Sequence, residues 1–408
     1  MKEDLILKPE MNTTELKSPV SRSIAIDAFR AVTMILMIFV NDLWTLEGVP
    51  HWLEHVSADT DGMGLADVVF PAFLFIVGLS VPYAIQSRRK KGDTSWQILW
   101  HIVQRTIALL VMGFLFVNSE TYSHEALLPR SLWVLLIVVG FFLIWLDYPQ
   151  PASVAARSLR AAGVILLIVM ASLYRSDTAS GISALTPQWW GILGKIGWAY
   201  FTISCIYLAT RGHFSLQLLA LVFLIFFSAA SHLGWLDPLS SIRRYVWLTG
   251  NGAPAALSMA GIVASLVYRK YTAGDKSFYI ILCFLAIVLM IFGFATRPVW
   301  EISKIRATPS WVSICAAISI LGFMLMAFLT DVKRFTKWYD YIKPAGVSTL
   351  TCYLLPYIYY SLINLSHAGQ LPAFLRTGPV GLVKSLVFAL LIVALAGVMG
   401  KRHIRLKL

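Results

Sequence analysis

Apolar runs of about 20 residues recur along the whole of this chain, and that recurrence constrains the fold more than any motif does. A run of that length, wound as an α-helix, matches the hydrocarbon thickness of a bilayer. Inside lipid every backbone N–H and C=O needs a partner within the protein, so only helices and closed barrels can cross. Barrel strands alternate apolar and polar residues. These runs do not alternate. The fold class expected is therefore all-α, a polytopic membrane helical bundle of about twelve transmembrane helices. The runs cover residues 24–44, 64–86, 98–117, 127–146, 158–174, 189–210, 214–232, 250–268, 277–296, 310–330, 345–365 and 380–398. Composition agrees, with 58% of residues hydrophobic and 13% charged, against roughly a quarter charged in soluble domains. No long linker or low-complexity stretch interrupts the series. Residues 24–400 thus read as a single transmembrane domain, between an N-terminal segment (1–23) and a basic tail (401–408). No internal repeat is visible, which weighs against a transporter built from repeated halves.

The net charge of +13 would suit nucleic acid, but Lys and Arg in a membrane protein gather in cytoplasmic loops. With the N-terminus inside, that side holds Lys2, Lys8, Lys17, Arg22, the run Arg88-Arg89-Lys90-Lys91, and Lys401, Arg402, Arg405 and Lys407. Both termini are then expected in the cytoplasm and the 45–63 loop outside, in a protein of the inner (cytoplasmic) membrane. That loop has no Lys or Arg and carries Glu47, Glu54, Asp59 and Asp61. Residues 1–21 are polar and mixed in charge, so the first span is expected to act as an uncleaved signal anchor. Cys205, Cys283, Cys315 and Cys352 lie within apolar runs without metal-ligand spacing, so they read as small apolar residues and no metal is expected.

Charges within spans are expensive unless paired or solvated. Asp27 and Arg30 stand three apart on one face of the first span, as a local ion pair would. Arg105 and Lys195 lie deeper in theirs. Arg105 can snorkel to an interface; Lys195 does so less easily. Two basic residues facing the bundle interior would suit an anionic ligand threaded between helices. Asp67 opens the second span, where a carboxylate suits the first helical turn. Trp189 and Trp190 sit where interfacial tryptophans are common. Residues 243–254 (RRYVWLTGNGAP) carry turn formers that could cradle an anion. The segment Lys304 to Trp311 is the most basic of the outer loops and reads as an interfacial anchor or as a contact for an acidic sugar.

The stretch from Asn41 to Ser80 concentrates chemistry-bearing types between two span ends. A histidine can act as general base or acyl acceptor. An aspartate can orient the imidazole, and an asparagine can donate to a developing oxyanion. Asn41, His51, His55 and Asp67 supply those types.

The order of these residues resembles the heparan-α-glucosaminide N-acetyltransferase family and its bacterial relatives, among the transmembrane acyltransferases. The resemblance rests on Asp27 and Arg30, Val40-Asn41, His55-Val56-Ser57, and Ala66-Asp67-Val68-Val69-Phe70-Pro71. Shorter matches follow at Phe116-Val117-Asn118, Gly191 to Ile196, Lys304 to Trp311 and Gly346 to Tyr353. The resemblance implies transfer of an acetyl group from cytoplasmic acetyl-CoA to an amino or hydroxyl group of a glucosamine-type sugar or glycan outside. It implies His55, Asp67 and Asn41 as catalytic residues. Arg30, Arg105 and Lys195, with Asp27 and Asn118, would hold the donor, and Lys304, Arg306, Trp311 and Trp190 the acceptor. The chain departs from the family pattern in three ways. The His55-to-Asp67 interval is longer, which leaves His51 as a rival. Ala58 stands where a tryptophan is usual. A two-span hairpin over 127–174 is extra and would offer a surface for a homodimer. The competing reading is a twelve-helix secondary transporter of a sugar or an anionic solute.

Overall fold

A computed structural model describes residues 23–408 apart from 179–180, 240, 242–244, 246–249, 368 and 370. The N-terminal segment up to Arg22 and residues 243–244 and 246–249 of the 243–254 stretch lie outside the described residues. Among the described residues there are thirteen α-helices, and a helix underlies every expected span. They are α1 (Ile24–Asp42), α2 (Leu65–Lys90), α3 (Ser95–Asn118), α4 (Arg130–Trp145), α5 (Val154–Leu173), α6 (Ile192–Ala209), α7 (Phe214–His232), α8 (Ala253–Lys270), α9 (Lys276–Trp300), α10 (Pro309–Ala327), α11 (Lys337–Val347), α12 (Thr349–Leu365) and α13 (Gly378–Lys401). Two three-residue strands, β1 (Ser176–Thr178) and β2 (Gly181–Ser183), form an antiparallel hairpin after α5.

Local sequence sets where these helices begin. Ser23, Thr94, Ser153 and Thr308 each accept a hydrogen bond from a first-turn backbone N–H, which would otherwise lack a partner. Among the described residues, nine helices are long and apolar enough to cross a membrane. Three of the expected twelve are shorter or less apolar: α4 with 16 residues, α8 with 18 and α12 with 17. α8 is buried along nearly its whole length by other helices, so it meets protein rather than lipid. By contrast α5, α7, α9 and α13 leave large apolar side chains uncovered, among them Ile165, Phe223, Phe284 and Leu391. So extensive an apolar rim is what a helical bundle presents to lipid.

The centre of the bundle is α2 against α8. A Cβ placed on Gly78 would lie 1.7 Å from the Ser258 carbonyl oxygen, and one on Gly261 would lie 2.0 Å from that of Phe75. Small residues thus let the two backbones touch, and Ser265 Oγ donates to the Leu79 carbonyl at 2.9 Å. α3 meets α6 in the same way, Gly113 against the Gly194 backbone. α1 runs beside α2, α10 and α11.

The expected 345–365 span is broken. α11 ends at Val347 and α12 starts at Thr349, with Ser348 between them outside helical geometry. A Cβ on Gly346 would stand 2.5 Å from the Asp27 carbonyl oxygen, so the break lies directly on α1. Carbonyls at a helix end lack intrahelical partners, and that of Gly346 accepts from Arg30 Nη1 at 3.1 Å.

Gly78→Leu and Gly261→Leu should each cost at least about 1–3 kcal/mol through overpacking. Thermal unfolding in detergent should show both variants melting well below the parent or failing to fold. Gly62→Ala, which meets nothing within 4 Å, should melt with the parent.

Candidate functional site

The first turn of α2 builds the site. Its N–H groups need partners from outside the helix, and a turn at 50–54 supplies two. Leu65 N–H donates to the Trp52 carbonyl at 2.7 Å, and Ala66 N–H to that of Leu53 at 3.2 Å. Gly64 permits this contact, because a Cβ there would lie 2.0 Å from the Glu54 carbonyl oxygen. The turn thereby brings His55 over Asp67. His55 Nδ1 lies 2.7 Å from Asp67 Oδ1. Asp67 Oδ2 accepts from the Val56 and Gly64 N–H groups, each at 3.0 Å. The Asp67 side chain is 1% exposed and that of His55 49%. A carboxylate already accepting two N–H groups favours Nδ1–H as the third donor, which leaves His55 Nε2 with its lone pair.

His51, the rival, is fully exposed and among the described residues pairs only with Glu54, at 3.5 Å. The histidine that faces Asp67 is His55. The extra length between them is taken up by residues 57–62, which swing out to the loop before α10. There Asp61 Oδ1 accepts from Ile302 N–H and Oδ2 from Arg297 Nε, both at 2.8 Å, and Gly62 N–H donates to the Ile302 carbonyl at 2.9 Å. That clasp carries Lys304 inward. Its Nζ stands 3.0 Å from His55 Nδ1, 3.3 Å from Nε2 and 3.7 Å from Asp67 Oδ1, and donates to the Ala66 carbonyl at 3.4 Å. Burial pulls the Lys304 ammonium below the usual lysine range, and Asp67 works against that shift. Asp61 is a structural link between the two loops. An acidic residue of this kind gives no sequence signal of its partner, which is 241 positions away.

His55 opens on a cavity of about 870 Å³. Asn41, Lys195, Lys304, Trp190 and Trp311 line it, as do Glu120, Arg130 and Tyr353, which sequence reasoning passed over. Trp311 Nε1 also donates to the Asp67 carbonyl at 3.2 Å. A second cavity, of about 350 Å³, is lined by Arg30, Ser80, Arg105, Tyr200 and Gly346. Arg30 donates to Asp27 Oδ1 at 2.8 Å and Ser80 Oγ at 2.6 Å, and the Arg105 guanidinium stacks 4.8 Å from the Tyr200 ring centre. The two cavities lie end to end. The first touches α2 from Ala66 to Leu74, the second from Phe73 to Ala84, and Met37, Ile192, Leu193 and Tyr353 line both.

Four expected site residues are not where they were expected. Asn118 lines neither cavity. It is 1% exposed, and its side chain bonds the Phe114 carbonyl and both backbone groups of Thr186, because a buried amide at a helix end satisfies its own neighbours first. Arg306 also lines neither and pairs with Glu301. Lys195 joins the His55 cavity rather than the Arg30 cavity. Asp27 does not line the second cavity but accepts from Arg30, which does. Among the described residues no group of His, Cys, Asp and Glu could hold a metal ion.

The fold and this geometry define a polytopic helical membrane protein with a histidine–aspartate pair over one end of two adjoining internal cavities. The chain belongs to the family described as "Domain of unknown function (DUF5009)", which matches residues 22–251, more than half of its length. It is similar to heparan-alpha-glucosaminide N-acetyltransferase from Homo sapiens, at 34% identity over 97 residues, which is 24% of this chain and 14% of that protein. The Mus musculus protein of the same name matches at 34% over 105 residues, 26% of this chain and 15% of its own. A match of 32% over 80 residues joins 19% of this chain to 29% of an undecaprenyl-diphosphatase from Pelotomaculum thermopropionicum. The matches thus span about a seventh of the two N-acetyltransferases and under a third of the undecaprenyl-diphosphatase.

The Asp61 clasp gives a pH-dependent prediction. Its Ile302 and Arg297 bonds hold the Asp61 carboxyl below the usual carboxylate range. A depressed folded-state pKa means stabilisation that is complete above the ordinary value, about 3.9, and lost as pH falls through the lowered one. Hydrogen exchange at the Gly62 and Ile302 amides, taken relative to the unstructured rate at the same pH, should therefore be slow at neutral pH and become fast as acid protonates Asp61. Asp61→Asn should show the fast exchange already at pH 7.

Proposed function

We propose that this chain is a membrane acetyltransferase that moves an acetyl group from acetyl-CoA, bound on the Arg30 side, to an amino or hydroxyl group of a sugar in the His55 cavity. The observation that carries this reading is His55, held through Nδ1 by a buried aspartate, on the wall of a cavity that adjoins a second one holding Arg30 and Arg105. The sequence resemblance and the similarity to N-acetyltransferases supply the acyl group and the acceptor class. They fit a site in which a histidine held by a buried carboxylate lines a cavity. The charge distribution supports a cytoplasmic Arg30 side and an outer His55 side.

Guanidinium groups suit phosphates, so Arg30 and Arg105 would hold the nucleotide end of the donor. The acyl-bearing arm is narrow and would pass the neck formed by Met37, Leu193 and Tyr353. His55 Nε2 takes the proton as the acceptor nitrogen or oxygen attacks the thioester carbonyl. The carbon–sulfur bond breaks, and His55 returns the proton to the leaving thiolate. Asp67 fixes the tautomer and stabilises the imidazolium. Lys304 and Asn41 face the region where negative charge develops on the carbonyl oxygen. Lys195, Arg306, Trp190 and Trp311 were the other ligand contacts expected. Of these, Lys195, Trp190 and Trp311 stay in the proposed site, as donor-arm or acceptor contacts.

Purified protein incubated with labelled acetyl-CoA and a panel of amino sugars and oligosaccharides should yield an acetylated product. His55→Ala should lower kcat by about 10²–10⁴-fold, in line with loss of a general base. Asp67→Asn should also impair kcat, and His51→Ala should leave it unchanged. Loss of activity in His51→Ala but not in His55→Ala would move the site. Sugar uptake by proteoliposomes without acetyl-CoA, and no acetyl transfer, would favour the transporter instead.

A further inference from the structure

The segment after α13 was expected to be a basic tail, but it folds back into the bundle. Leu406 is 8% exposed, and its N–H donates to Thr351 Oγ1 on α12 at 3.1 Å. On either side of it the backbone pairs with the end of α4: Asp147 N–H donates to the Arg405 carbonyl at 2.9 Å and Lys407 N–H to the Trp145 carbonyl at 2.8 Å. The Asp147 carboxylate then accepts from Arg405, at 3.0 and 2.8 Å, and from Lys407 Nζ, at 3.2 Å. Those two partners hold the Asp147 carboxyl below its ordinary range. Leu406, Lys407 and Leu408 line the cavity of Arg30 and Arg105.

We propose that residues 403–408 are a strap that completes this cavity as a phosphate-binding site, with Lys407 as its third cation and the α4 end as its mounting. The inference rests on the donor site read above and adds to it a residue far from Arg30 and Arg105 in sequence. It also gives the α4–α5 hairpin a part: Trp145 and Asp147 hold the strap in place. Lys407 has a side chain 70% exposed, so its ammonium can turn from Asp147 to a phosphate without burying a charge. Leu406 is a positioning residue, which acts by seating Lys407.

Binding of CoA and, separately, of inorganic pyrophosphate to the full-length purified protein tests this. Lys407→Gln should weaken CoA binding about tenfold and flatten its salt dependence, because one cation fewer meets the phosphates. Leu406→Asp, which keeps Lys407 but unseats the strap, should weaken binding at least as much. Lys407→Gln should melt with the parent when no ligand is present, which separates lost binding from lost folding. Wild-type affinity for CoA in Lys407→Gln and in a chain ending at Arg402 would overturn the strap while leaving the donor reading intact. If the parent binds pyrophosphate in a Lys407-dependent way but not CoA, the anion site stands and the acetyl-CoA reading fails. If the parent binds neither, both fall.

Discussion

A carboxylate placed at the start of a buried helix has to be satisfied, and much of the site follows from how Asp67 is satisfied. Leaving such a group unpaired would cost several kcal/mol. The chain answers with Gly64 N–H, Val56 N–H and His55. Each of these donors is in the preceding loop, so satisfying Asp67 also folds that loop over the helix and points His55 into the cavity. The turn at 50–54 joins in by capping the remaining first-turn N–H groups. One helix start thus fixes the loop, the imidazole tautomer and, through Ala66 and Trp311, the approach of Lys304 and α10.

A second buried cluster steadies the same end of the bundle. Asp42, next to Asn41, accepts from Lys384 Nζ at 2.8 Å and Ser385 Oγ at 2.6 Å on α13, and from the Tyr360 hydroxyl on α12. Lys384 also donates to Thr45 at 2.7 Å. The span lysine therefore has a carboxylate partner, and the pair pins the end of α1 where Asn41 enters the cavity. At the other end of α1, Asp27, Arg30 and the Gly346 carbonyl hold the break between α11 and α12. α1 is fastened at both ends by polar contacts and packed by apolar ones between.

The helices were legible in the sequence because lipid demands long apolar runs, and each run carries its own signal. The α11–α12 break was not, since the apolar pattern continues through Ser348 and the close approach of Gly346 to Asp27 is purely tertiary. In the candidate site, His55, Asp67, Asn41, Lys304 and Trp311 come together much as their order suggested, because four of the five sit at or beside span ends that one helical bundle must gather at one face. Asn118 lines neither cavity: a motif match says nothing about which neighbours a buried amide will bond. Asp61 and Lys407 were missed for a related reason. Their partners are far away in the chain, and only the folded loops reveal them.

In the function we propose, one site is reached from both membrane faces, through cavities that share Met37, Leu193 and Tyr353. Sealed proteoliposomes test it most directly. Labelled acetyl-CoA is placed on one side only, and a membrane-impermeant amino sugar on the other. The account predicts labelled, acetylated sugar on the acceptor side, with none formed by His55→Ala. Acetylation that occurs only when donor and acceptor share a side would contradict it.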